Sequence, residues 1–205
     1  MTVKTLDLKK EHKQLYSPPS KKVEMVDVPK MNFLMIDGQG DPNRSPLFQE
    51  AIEALYSLSY TIKFTLKKSD GGIDYKVMPL EGLWWTDEKE GFSFEKRSSW
   101  KWTLMIMQPD FVTKKIVKEA VEELEKKKNH PALLKIRFES YYEGKAAQTM
   151  HIGPFSTEEA TVSQALDFIK DLGRKPREKL HEIYISDFRR VAPEKMKTII
   201  RQPME

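Results

Sequence analysis

The sequence predicts an α+β fold built from two β-α-β-β halves in one domain, and three observations lead there. The strand-like run LMIDG (34–38) is followed by a helix pattern and two strand patterns; TMHIG (149–153) is followed by the same succession. The two stretches share little identity, so the repeat is one of grammar: strand, glycine, helix, strand, strand. Helices on one face of each half would leave the opposite sheet faces free to form a shared cleft, the place ligands prefer. Composition agrees, since 205 residues with 39% hydrophobic and 32% charged side chains describe a globular chain able to bury a core.

Taken in order, residues 1–22 form a polar arm with one short helix around 6–15 and a loop at PPS (18–20). Residues 23–205 form the single domain, with a first half at about 23–108, a linking helix at about 111–128 and a second half at about 133–205. The apolar run VEMVDVPKMNFLMIDGQGDPN (23–43) is a strand stopped by Gly38, Gly40 and Pro42. Ser45 then Pro46 marks a helix start, and Phe48, Ile52, Leu55, Ser59 and Ile62 share one helical face. SDGG (69–72) is a turn, and IDYKVMPLEGLWW (73–85) and WKWTLMIMQP (100–109) are strands joined by a charged loop. The linking helix turns Val117, Ala120, Val121 and Leu124 inward and ends at Asn129-His130-Pro131. LLKIRFESYYEG (133–144) and AAQTMHIG (146–153) make a hairpin-like pair around Gly144. Ser156 and Glu159 form a capping box ahead of a helix with Val162, Ala165, Leu166, Ile169 and Leu172 at helical spacing, and Gly173 stops it. LHEIYISDFRRV (180–191) and KMKTIIRQP (195–203) are the closing strands.

The same sequence narrows the chemistry. There is no cysteine, which removes disulfides, thiol nucleophiles and Cys-ligated zinc; four scattered histidines without an HExxH argue against a metal site. No cofactor is expected. Catalysis would fall to carboxylates, hydroxyls, aromatics and bound water. A net charge of +4 with pI near 9.0 raises nucleic acid as a partner. The lysines, however, alternate with acids on solvated helix faces, and no helix-turn-helix, RNP-type or zinc-finger signature accompanies them, so no direct nucleic-acid binding is expected. No apolar run reaches the roughly 20 residues of a membrane span and the first residues lack a signal core, so the expectation is a cytoplasmic protein with no membrane partner.

Four ordered blocks, MNFLMIDGQGDPN (31–43), VMPLEGLWW (77–85), EGKAAQTMHIGPFSTEE (143–159) and HEIYISDFRRVAPEKMKTIIRQP (181–203), resemble the GyrI-like small-molecule-binding family. The resemblance implies two β-α-β-β halves related by a pseudo-two-fold axis with a ligand cleft between them. It implies functions ranging from effector binding in multidrug-sensing regulators to gyrase inhibition. One stand-alone subfamily that this chain resembles hydrolyses the cyclopropane of DNA-alkylating natural products of the yatakemycin and duocarmycin type within an aromatic cage. That reading makes the partner a flat hydrophobic aromatic small molecule. A non-catalytic drug-binding or effector-binding protein is the alternative, and a gyrase-interacting module the third reading.

Strand alternation in HEIYISD puts Ile183 and Ile185 on one face and Glu182, Tyr184 and Ser186 on the other. If the isoleucines meet the helices, Glu182 and Tyr184 look into the cleft; otherwise Glu182 is a solvated edge acid. The resemblance favours the cleft, because multidrug-binding members keep an acid at this strand. Glu182 is thus the candidate base that orients or deprotonates water, with Tyr184 the candidate hydroxyl for charge on the substrate oxygen. In YKVMPLEGLWW (75–85) neither face is uniformly apolar and Pro79 points to an edge or bulge, so Trp84 or Trp85 walls a pocket and Glu81 serves that pocket or its hydrogen-bond frame. Trp100 and Trp102 share a strand face with Leu104 and Ile106, while Met105 and Met107 share the other as an adaptable pocket floor. The cage candidates are Trp84, Trp85, Tyr141, Tyr142 and Phe188.

Overall fold

The computed structural model describes residues 5–69, 72–87, 93–127, 130–177 and 179–205. Its strands are β1 (Glu24–Gln39), β2 (Leu80–Trp85), β3 (Lys101–Gln108), β4 (Arg137–Ile152), β5 (Leu180–Tyr184) and β6 (Lys197–Pro203). Its α-helices are α1 (Leu8–Glu11), α2 (Lys13–Tyr16), α3 (Pro46–Lys68), α4 (Lys114–Lys127) and α5 (Glu158–Asp171). The order strand, helix, strand, strand therefore occurs twice, as β1-α3-β2-β3 and β4-α5-β5-β6.

All neighbouring strands are antiparallel, and the sheet closes as a barrel in the order β1-β3-β2-β5-β6-β4. Closure replaces the two separate sheets that the repeat suggested with one ring of strands. The physical reason is that an open three-stranded half has two edges of unpaired N–H and C=O groups, which pairing across the halves removes. β1 joins β4 along one seam and β2 joins β5 along the other.

Several local expectations are corrected. The hairpin around Gly144 is a single sixteen-residue strand, β4, whose first part pairs with β1 and whose last part pairs with β6. Gly144 takes φ +71 without reversing the chain, because the long β1 offers a continuous partner on the other side. Of the strand expected over 73–85, only Leu80–Trp85 is extended in the sheet; Tyr75 makes an isolated parallel bridge to Leu6 of the arm. The capping box does not form: Phe155–Thr157 is a 3₁₀ turn, Thr157 precedes α5, and its Oγ1 donates to Pro154 O at 2.9 Å. Asp70 and Gly71 of the expected turn, residues 88–92 of the charged loop, and Lys128 and Asn129 at the expected helix end lie outside the described residues.

α3 packs on β1 and β3, and α5 packs on β4 and β6. The α3 face that carries Phe48, Ile52, Leu55, Ser59 and Ile62 is buried, as its 3.6-residue period requires. Phe48 touches Trp84 of β2 and Trp102 of β3, so the Leu80, Gly82, Trp84 side of β2 is the helix-flanked side.

The other side of the same strands holds a buried ionic network. The His181 imidazole on β5 bridges Glu81 Oε2 of β2 at 3.0 Å and Glu143 Oε1 of β4 at 2.9 Å. Arg201 on β6 donates to Glu143 Oε2 at 3.1 Å, to Gln148 Oε1 at 3.1 Å and to Leu15 O of the arm at 2.6 Å. Tyr16 donates to Glu81 Oε1 at 2.8 Å, and Gln148 donates to Gln14 O at 2.6 Å. Glu81, Glu143, His181 and Arg201 are each at most 1% exposed. The two acids and two bases balance in charge, which is what permits their burial. Burial alone would lower the His181 pKa; the Glu143 and Glu81 carboxyls outweigh it and raise it to about 9. The arm is thus bonded into the barrel, and Leu8, Leu15 and Tyr16 belong to the main core. No described helix is long and apolar enough to cross a membrane.

Candidate functional site

At the β2–β5 seam, Gly82 pairs with Glu182 and Trp84 with Leu180. This register sets Glu182 and Tyr184 beside Gly82 and Trp84 on the helix-flanked side. Ile183 faces the opposite way with Glu81, its register partner, so the isoleucine side does not meet the helices as expected. Barrel closure gives Ile183 a second, inner core and leaves the acid under the helices.

A cavity of about 180 Å³ opens there. Its walls come from both halves of the chain: Phe48, Trp84 and Trp100 on one side, Phe155, Tyr184 and Phe188 on the other. Trp84 meets Trp100 at 5.4 Å and 69°, and Phe155 meets Tyr184 at 5.8 Å and 80°. Such edge-to-face contacts brace the rings and leave flat faces for an aromatic ligand.

Two acids lie in this apolar surround. Glu182 is buried on β5, and Glu158 is buried at the first position of α5. Tyr184 donates from its hydroxyl to Glu182 Oε2 at 2.8 Å. Burial raises the Glu158 carboxyl, and the negative charge of Glu182 raises it further, to about 9. Burial also raises Glu182, to about 7; the Tyr184 hydroxyl, the His181 charge across the strand, a hydrogen bond from Glu158 and the Trp84 N–H all oppose the rise. Between about pH 7 and 9 the pair therefore holds one proton and one negative charge, with Glu182 the more acidic of two carboxyls that titrate together. Trp84 Nε1 and Glu158 Oε1 are buried with no hydrogen-bond partner of ordinary geometry among the described residues. The indole N–H leans on the Glu182–Tyr184 pair without a full hydrogen bond, which leaves it able to turn to a ligand or water in the cavity.

Gly82 makes room for this arrangement. A β-carbon there would stand 2.9 Å from Trp84 Nε1 and 3.1 Å from the Tyr184 hydroxyl. Gly82→Ala is expected to push the indole or the phenol out of place and raise the Kd of a flat aromatic ligand roughly tenfold, about 1.4 kcal/mol, by fluorescence titration. Affinity equal to the wild type would show that the ligand does not sit against Trp84.

The cavity brings together Glu182, Tyr184, Trp84 and Phe188 of the residues singled out from sequence. It does not include the others. Glu81 stands in the buried network on the opposite side. Met105 pairs with Glu81 and, with Met107 two residues on, faces that same side, fully buried. Trp85 alternates away from Trp84 and lies half-buried under the Lys179 ammonium, 4.2 Å from the ring centre. Tyr141 packs edge-on against Phe33, and Tyr142 is 62% exposed, over Gly144.

Glu158, Phe155, Phe48, Trp100 and Arg97 line the cavity without having been expected there. The sequence carried one usable signal: EE at 158–159 doubles the acid that a capping box needs once. The rest required the pairing of segments far apart in the chain.

The GyrI-like small molecule binding domain family matches residues 21–204. An uncharacterized conserved protein from Listeria innocua is 41% identical over 98% of this chain and 100% of its own, with a TM-score of 0.91. A hydrolase from Listeria innocua is likewise 41% identical over 98% of this chain and 100% of its own, with a TM-score of 0.89. The C-terminal domain of EcmrR, 13% identical over 90% of this chain and 97% of its own, shares the fold with a TM-score of 0.55. A search of curated proteins gives no significant match. With nearly the whole length matched and the two halves walling one aromatic, acid-lined cavity, this chain belongs to the GyrI-like small-molecule-binding family.

Proposed function

We propose that the protein is a hydrolase that opens the cyclopropane of cyclopropanoid DNA-alkylating compounds by adding water, and that the cavity between its two β-α-β-β halves is the ligand cleft. The observation that carries this reading is the buried Glu158–Glu182 acid pair, with Tyr184 bonded to Glu182, inside an aromatic cavity walled from both halves of the chain. Relatives of the same length named hydrolase support it.

The substrate has a spirocyclopropane conjugated to a cyclohexadienone. The aromatic walls stack on its flat ring and exclude bulk water. A water donates one hydrogen bond to the Glu182 carboxylate and accepts one from Trp84 Nε1, which aims a lone pair at the cyclopropane methylene. As the C–O bond forms, Glu182 takes the water proton and the ring C–C bond breaks. Its electron pair flows through the dienone to the carbonyl oxygen, giving an aromatic phenolate; Glu182 then gives up the water proton, which reaches that oxygen through solvent and restores the base. The net change is one water gained. Tyr184 fixes the base by its hydrogen bond to Oε2, and the neutral Glu158 fixes it from the helix side. Charge on the distant oxygen falls toward Arg97, which lies over the Trp100 ring, 5.5 Å from its centre, and lines the cavity.

Incubation with such a compound is expected to yield a product heavier by one water, read by mass spectrometry. Tight binding without that product would favour the second reading, a non-catalytic drug-binding protein in which buried Glu182 answers a delocalised cation. The acid pair also predicts a pH profile. Activity needs Glu182 ionised and Glu158 protonated, so kcat/KM is expected to rise through about pH 7 and fall near pH 9. A rate that is flat between pH 6 and 10, by contrast with these values of about 7 and 9, would remove the pair from the mechanism.

A further inference from the structure

The ionic network on the inner side of the barrel is more than stability asks for, since a balanced set of buried charges holds a fold little better than apolar side chains of the same volume. Two of its members stand next to the site along their strands. Glu81 precedes Gly82 on β2, His181 precedes Glu182 on β5, and Gly82 and Glu182 are register partners. The other register partner of Glu182 is Ile200 of β6, so neither lateral neighbour brings a charge to it. The His181 imidazole therefore lies directly behind the Glu182 carboxyl, on the opposite face of the same strand.

Hydrogen bonds define the charge on that imidazole. Nδ1 meets Glu143 Oε1 at 2.9 Å and Nε2 meets Glu81 Oε2 at 3.0 Å. A neutral imidazole has one N–H and one lone pair, so between two carboxylates it would set lone pair against lone pair at one contact; the imidazolium donates at both. Arg201 of β6, bonded to Glu143, and the Tyr16 hydroxyl of the arm, bonded to Glu81, complete the groups around it. Tyr141 stands near Glu143, and Arg177 donates to the Glu143 backbone O. On the site side Glu182 is faced by the Tyr184 hydroxyl, the Trp84 N–H and Glu158, which Thr198 of β6 contacts in turn, while Arg97 lines the same cavity. Burial and the Glu158 carboxyl thus disfavour charge on Glu182, and the His181 cation favours it.

Resting on Glu182 as the base, we propose that His181 is its positioning residue: the imidazolium, pinned between Glu81 and Glu143 on the inner face of β5, holds Glu182 ionised in a cavity whose apolar walls and second carboxyl oppose that charge. It acts through the strand by its field, without touching the ligand. Glu81, as the counter-charge of His181, pulls the other way.

The opposed signs supply the test. The Glu182 carboxyl is titrated by its side-chain ¹³C NMR signal, identified by its loss in Glu182→Gln, and kcat/KM is followed over the same pH range. His181→Gln is expected to raise the Glu182 midpoint by about one pH unit and to lower kcat/KM at pH 6 roughly tenfold. Glu81→Gln, which keeps the imidazolium on Glu143, is expected to lower the midpoint and raise kcat/KM at pH 6. A purely structural role would damage both variants alike. Midpoints that stay put, or that move the same way in both variants, overturn the inference. If His181→Gln does not fold, the sign of the Glu81→Gln shift decides: downward supports the coupling, and upward or none overturns it. If no hydrolysis is found the proposed function fails, while the NMR midpoints still judge whether His181 sets the charge on Glu182.

Discussion

Glu182→Gln is expected to lower turnover by about 10²–10⁴ while leaving ligand affinity within a few fold, because the amide keeps the shape of the base but cannot take the water proton. Its effect on stability should have the opposite sign. An unfolded glutamate has a pKa of about 4.3, and the folded values of Glu182 and Glu158 are raised to about 7 and about 9. A raised value means that the group favours folding fully below the unfolded pKa and loses that contribution as pH rises through the folded one. At pH 8 the buried charge is therefore a cost, and a neutral amide removes it. Tm at pH 8 is expected to rise by roughly 2–4 °C, about 1 kcal/mol, and to match the wild type at pH 4. Thermal melts at the two pH values beside single-turnover rates check both halves. Hydrolysis at the wild-type rate by Glu182→Gln would show that another group is the base.

Arg201→Met should be the most damaging substitution to the fold. The change takes the guanidinium from Glu143 Oε2, leaves His181 alone to answer two buried carboxyls, and breaks the bonds from Arg201 to Gln148 and to Leu15 O of the arm. Removing one partner of a buried charged pair costs about 3–5 kcal/mol, which for a chain of this size is a fall in Tm of roughly 6–20 °C. The arm should also come loose, read as faster proteolytic cleavage within residues 5–22. A loss below about 1 kcal/mol in urea unfolding would mean that the network does not hold the barrel closed. The same network sets a pH limit. His181 is raised to about 9, above an unfolded value near 6.5, so its contribution is complete below about pH 6.5 and lost as pH rises through about 9. Stability should decline across that window, and His181→Gln should flatten the decline.

The sequence by itself determined the succession of elements, because hydrophobic period and glycine or proline punctuation are local properties of the chain. The buried face of α3 and the alternation that sets Glu182 and Tyr184 on one side of β5 follow from such local rules. Gly144 shows where they stop. A glycine between two apolar strand runs signals a turn, yet β1 supplies a sixteen-residue partner and the chain continues straight through it. Only tertiary structure decided which side of β5 meets the helices, since that depended on the barrel closing and giving Ile183 and His181 an inner core. It also separated neighbours in sequence. Glu81 and Trp84 stand three residues apart, but one enters the ionic network and the other walls the cavity, because successive side chains of a strand point to opposite faces. Conversely, the acid pair unites Glu158 and Glu182 from a helix start and a strand. Their shared proton depends on burial and mutual charge, and neither exists until the chain has folded.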